Sequence, residues 1–244
     1  MSSVPASRAL VLAYRLLLRQ LVTRGRLAAL LVVGVAVTGV AWAVGASDEI
    51  DDPLEAAVQV ISNLGFAVLV PVVALVFASA SLGDAREDGT LVYLWLRPMD
   101  RWPVVVGAWL AAITVSVPLT VAPLGAAALL SGGGAELLGA TTLAAVVGVV
   151  AYSALFVLLG LLVKNSIVWG LGYVLVWEGI VAAFGSFAAK LAIRGYTRSI
   201  LTSITDIDLD LGDLPLAAGI AVPLLAAVIA LVFGALRLRV MDVA

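Results

Sequence analysis

Long apolar runs divide the chain, and its charged residues lie almost entirely in the stretches between them. Each run matches the roughly 20 residues that carry a helix across a hydrocarbon core. Spans are predicted over residues 27–46, 58–81, 104–130, 137–163, 165–187 and 215–236. The alternation of a transmembrane β-strand is missing, and in lipid a helix satisfies its own backbone polar groups. The expected fold is all-α: one polytopic membrane domain over 1–244, with six transmembrane helices.

Residues 7–26, SRALVLAYRLLLRQLVTRGR, follow a different pattern. Arg8, Arg15, Arg19 and Arg26 are spaced by 7, 4 and 7 and so share one helical face. Leu10, Leu17 and Leu21 share another. This predicts an interfacial amphipathic helix, apolar side on acyl chains and arginines on lipid phosphates.

The runs carry interruptions. Pro71, Pro118, Pro123 and Pro223 each remove a backbone hydrogen bond and are candidate kinks, with a bend expected where Pro118 and Pro123 fall in one span. Glu178, in VLVWEGIVAAFG, is the one ionisable residue well inside a span. A carboxylate there is costly and is paired or functional. It is expected to be protonated and hydrogen-bonded to a neighbouring helix, to line a polar path, or to bond partners on the Trp177 side at a subunit interface. Within the outer segment, FAAKLAIRGYTRSILTSI (187–204) holds three cations among apolar residues, too interrupted to span, and reads as a short helix in or on the outer leaflet. Asp206, Asp208 and Asp210 follow it like the start of a calcium loop. Leu211 at the glycine position and Ala217 at the closing glutamate position exclude an EF-hand.

Composition narrows the chemistry. The chain is 63% hydrophobic and 12% charged. Its mean hydropathy of +1.17 is that of an integral membrane protein. Cysteine and histidine are absent, which removes disulfides, zinc and haem ligation, thiol catalysis and a Ser/His relay. No GxxxxGK[ST] phosphate loop occurs. No catalytic residue, metal, cofactor or nucleic-acid partner is expected, and the chain is not expected to be an enzyme.

Charge sets the expected orientation. With a cytoplasmic N-terminus, eleven Lys and Arg lie inside and three (Lys190, Arg194, Arg198) outside. The positive-inside bias therefore places both termini in the cytoplasm of a cell membrane. Ala41 and Ala43 offer a cleavage-like site, but the apolar run is too long for a signal-peptide core and 26 residues precede it, so an uncleaved span is expected.

The segment 83–103, GDAREDGTLVYLWLRPMDRWP, is then cytoplasmic. Gly83 is an expected helix end. Seven of its 21 residues are charged, yet LVYLWL is too apolar for a solvated loop and too short to span. Aromatic and leucine side chains flanked by arginines suit a protein partner, or a place on the inner leaflet.

The pattern E-x-G-T-L, then R-P-x-x-R before a long span, resembles the ABC-2 family of ABC transporter permeases. Here it reads Glu87, Gly89, Thr90, Leu91, then Arg97, Pro98 and Arg101. The basic N-terminal helix, six spans, the Trp177-Glu178 pair, the outer segment before the last span and the closing RLRVMDVA agree with it. The resemblance implies an exporter fold that pairs with a second permease copy or homologue and binds two cytoplasmic ATPase subunits. ATP and Mg would be bound by those subunits. It makes 83–103 a coupling helix, with Glu87, Gly89, Arg97, Pro98 and Arg101 carrying ATP-driven movement to the spans, and Lys164-Asn165 a second cytoplasmic contact. Segment 188–214 would cap the exit. Two other functions fit the residues: a stand-alone secondary transporter using Glu178, and a non-transport scaffold or assembly factor that docks a partner through 83–103. The sequence names no substrate.

Overall fold

The computed structural model describes residues 5–47, 50–89, 100–180, 192–207, 209 and 214–240, and every regular element among them is a helix. We number these α1 (Ala6–Leu21), α2 (Arg24–Gly45), α3 (Pro53–Glu87), α4 (Trp102–Leu130), α5 (Gly134–Leu162), α6 (Ser166–Ile180), α7 (Ile193–Thr205) and α8 (Leu216–Val240). Five of them, α2, α3, α4, α5 and α8, are long and apolar enough to cross a membrane. The expected fifth span appears as α6, apolar but shorter, and residues 181–187 lie outside the described ones. Among the described residues, five helices able to span a membrane are therefore seen, and the sixth expected span is not shown.

Two helices change hydrogen-bond register. Ile61–Leu69 within α3 and Tyr173–Ile180 at the end of α6 are π-helical. A π turn widens the helix and leaves its backbone less tightly paired. In α3 it directly precedes Pro71, whose ring crowds the preceding turn and which cannot donate to it. Pro118 and Pro123 lie inside α4, and Pro223 inside α8, with the helix running on through each.

α5 is the centre of the bundle, packed against α3, α4, α7 and α8. Two-thirds of its membrane-length window (67%) is buried, against 22% for α2 and for α8, which present Leu31, Val32, Leu225 and Phe233 outward as lipid-facing side chains. Without a hydrophobic drive between helices in lipid, close approach of small residues supplies the packing. At the α3–α5 crossing a Cβ added to Gly160 would stand 2.8 Å from the Ser79 carbonyl oxygen and 3.3 Å from the Gly83 nitrogen. Gly83 is thus a packing residue and not the helix end expected from the sequence. It is buried against Gly160 and Ser166, so α3 runs on to Glu87 and stops at Gly89, which holds φ +67°.

The N-terminal helix is amphipathic as expected, but its faces differ. Ala9, Ala13, Leu17 and Leu21, an i, i+4 row, are buried, and the helix packs mainly on α4. Leu10 is only half-buried, because Ala9 and Ala13 allow the closer approach. Arg8, Arg15 and Arg19 are exposed, as are Leu12 and Leu16. Arg26 does not share their helix: α1 ends at Leu21 and Arg26 belongs to α2. Contact with α4 depends on Gly107, where a Cβ would meet Ala13 Cβ and Tyr14 N at 3.0 Å. Gly107→Val is expected to lift α1 off the bundle, and limited trypsin digestion should then cut at Arg15 and Arg19 several-fold faster than in the parent.

Candidate functional site

Connectivity defines two ends. The junctions α1–α2, α3–α4 and α5–α6 lie at one end, and α2–α3 and α4–α5 at the other, where Gly45 touches Ser131. Each end holds a polar constellation.

At the first end, two bonds join segments far apart in sequence. Arg26 Nη2 donates to Asp84 Oδ2 at 3.1 Å, linking α2 to α3. Both side chains are about one-third exposed (33% and 31%), so this pair contributes only about 0–1 kcal/mol. Glu87 Oε1 accepts from the backbone N–H of Asn165 at 2.8 Å. Asn165 has φ +54°, the left-handed region, and stands at the N-terminus of α6 without a cap from its own side chain. Glu87 acts in that place, where a negative charge is favoured by the helix dipole. Two sequence-selected sites thus meet: Glu87 and the Lys164-Asn165 turn. Lys164 is exposed, Arg101 stands at the start of α4, and Arg86 has Nη1 buried without a partner among the described residues. Arg97 and Pro98, with Thr90 and Leu91, lie outside the described residues.

The second constellation surrounds Glu178, 1% exposed in the π segment of α6. Its Oε1 accepts from the Tyr173 hydroxyl at 2.9 Å and from the Ile193 N–H at 3.0 Å, and its Oε2 accepts from the Arg194 N–H at 3.1 Å. Ile193 and Arg194 open α7, so the carboxylate satisfies amides that a helix N-terminus leaves unpaired. The hydrogen bonding to a neighbouring helix is as in the first of the three sequence expectations, with the carboxyl oxygens accepting each of these bonds.

The same helix is tied down one turn later. Arg198 Nε donates to Ser62 Oγ at 2.6 Å, and Arg194 Nη2 and Arg198 Nη2 donate to Asn63 Oδ1 at 2.8 and 3.3 Å. Ser62 and Asn63 belong to the π segment of α3, so both π segments border one polar seam. Burial pulls the Arg194 guanidinium below its ordinary pKa, opposed by Tyr152 and Glu178. Tyr152 of α5 is fully buried and stacks on Phe156 (centroids 5.9 Å apart). Arg194 Nε makes no hydrogen bond among the described residues.

Sequence reasoning selected Glu178 but missed Tyr152, Tyr173, Ser62 and Asn63, and took Arg194 and Arg198 only as outer cations. Their i, i+4 spacing and the Ser62-Asn63 pair inside an apolar run were the available signals. No family model and no curated protein sequence matches this chain.

Proposed function

We propose that this chain is the membrane-spanning permease subunit of an ABC transporter of the ABC-2 type, working in export with both termini cytoplasmic. Two copies of a cytoplasmic ATPase drive it, and a second permease copy or homologue completes the membrane assembly. The observation that carries the reading is the bond from Glu87 to the Asn165 amide. A coupling device needs one rigid connection from its docking segment to more than one span. Here the glutamate of the E-x-G motif ends α3 and caps α6 at once, so a push at 84–89 is delivered to two membrane helices. Nucleotide binding in the partner then supplies the differential affinity that selects one of two membrane arrangements. The secondary-transporter reading is weakened by the engagement of Glu178, whose carboxylate already accepts three hydrogen bonds.

The test is co-purification from the native membrane in mild detergent, followed by reconstitution with any ATPase that accompanies the chain. Glu87→Ala is expected to reduce substrate- or permease-stimulated ATP hydrolysis about tenfold while the folded yield holds. A chain that purifies alone, or an ATPase stimulated equally by parent and variant, rejects the proposal.

A further inference from the structure

We infer that α1 holds the bundle to anionic phospholipid headgroups by charge, and not by inserting its apolar face among acyl chains. The inference does not rest on the transport reading. On the orientation proposed above, the leaflet concerned is the cytoplasmic one.

Three observations carry it. First, the apolar face of α1 is already occupied. Ala9, Ala13, Leu17 and Leu21 are buried in the protein, mainly on α4. The sequence expectation put Leu17 and Leu21 on acyl chains, and a helix that binds a bilayer by insertion keeps that face free for them. Here α4 has taken it. Second, the opposite face is basic along its centre. Arg8, Arg15 and Arg19 are all exposed and, at about 100° per residue, fall within about 40° of one another. They extend over roughly 16 Å of helix. Val11, Leu12 and Leu16 are exposed on their flanks. Third, no carboxylate of the protein answers these arginines. The first acidic residue of the chain is Asp48, beyond α2, and α4 contains none. None of the three arginines makes an ion pair or a hydrogen bond among the described residues. Arg15 and Arg19, four apart, repel each other unless an external negative charge lies against them.

Position decides what supplies that charge. Only Val22 and Thr23 separate α1 from α2, a helix able to cross the membrane. α1 is therefore tethered at the depth where α2 enters the bilayer. Trp102, exposed at the start of α4 and little more than one turn from Gly107, is the side chain type that favours this headgroup layer. A row of arginines with apolar flanks fits an extended surface of phosphates above acyl chains, not one phosphate in a pocket. The guanidinium groups reach the phosphates while Leu12 and Leu16 rest at the acyl boundary. A zwitterionic headgroup sets its own cation beside the phosphate, so net attraction requires anionic lipid.

The experiment uses the absence of cysteine from the chain. Leu16→Cys places a single thiol on the exposed flank of α1, at a position 54% exposed in the parent, and a fluorophore is attached to it. The full chain is placed in nanodiscs of phosphatidylcholine, with or without about one-third phosphatidylglycerol, and quenching by aqueous acrylamide is measured. The quenching constant is expected to be about threefold lower in the anionic discs. Molar salt, which screens charges within about 3 Å, is expected to remove that protection. Arg8→Gln, Arg15→Gln and Arg19→Gln combined, all at exposed positions and checked for monodisperse elution, should quench in both lipids as the parent does in phosphatidylcholine. Equal quenching of the parent in the two lipids overturns the inference. Protection that survives salt or the three substitutions overturns it too, because Val11, Leu12 and Leu16 then hold the helix by insertion. If the flank is covered only when an acidic protein co-purifies, the surface belongs to that protein and the inference falls.

Discussion

Replacing Glu178 by leucine is expected to cost about 3–5 kcal/mol of stability, the range for breaking one side of a buried charge-assisted set. The loss has two sources. The amides of Ile193 and Arg194 and the Tyr173 hydroxyl lose their acceptor in a buried to half-buried place. Arg194 also loses a compensating charge beside it. Glu178→Gln keeps one acceptor oxygen and should lose less. Thermal unfolding of the detergent-purified chain, followed by size-exclusion profile after heating, checks the order: parent above Gln above Leu. Equal midpoints for all three would mean that α7 is held without Glu178, by its arginine bonds to Ser62 and Asn63 and by its apolar contacts.

The second large effect is expected at Gly160. Any side chain there must displace the Ser79 carbonyl or the Gly83 backbone, neither of which can rotate away. Overpacking of this kind costs about 1–3 kcal/mol, and more where backbone must shift. It falls on the most buried pair of helices, α3 and α5. Gly160→Leu should therefore abolish most of the monodisperse yield, while Gly172→Leu, with nothing within 4 Å of the added carbon, should purify like the parent. Comparable yields from the two variants would show that the α3–α5 crossing relaxes freely.

What the sequence made legible follows from what hydropathy encodes. Spans appeared because an apolar run must be about as long as the bilayer is thick. Helix ends were less legible. α3 continues past the apolar run to Glu87, because helical hydrogen bonding does not stop where lipid stops, and because Gly83 serves packing instead of termination. The amphipathic α1 was read from its arginines and leucines, but its docking row combines Leu17 and Leu21 with Ala9 and Ala13, leaving Leu10 only half-buried. The π segments left no trace in composition, since a hydrogen-bond register is not a hydrophobic pattern. The seam was hidden for a different reason. Arg198 and Ser62 are 136 residues apart, and nothing in a single chain announces a meeting at that distance. Glu178 alone stood out, because a lone carboxylate in an apolar run is conspicuous whatever it touches.

The placement of α2 has a consequence for how the protein is made. Its seam with α4 joins Gly34 to the Pro123 ring and Thr38 to the Pro123 carbonyl, across 85 residues of chain. At about 5–20 residues per second, the ribosome delivers that partner roughly 4–17 s after the first span has entered the bilayer. During this interval α2 stands in lipid with its small-residue groove uncovered. Thr38 is equipped for the wait: its hydroxyl also bonds the Gly34 carbonyl of its own helix at 3.0 Å, so no polar group is left bare before α4 arrives. Biogenesis of this chain thus includes a stage in which the first span is inserted but not assembled, and that stage ends only when the third apolar run comes in and offers Pro123.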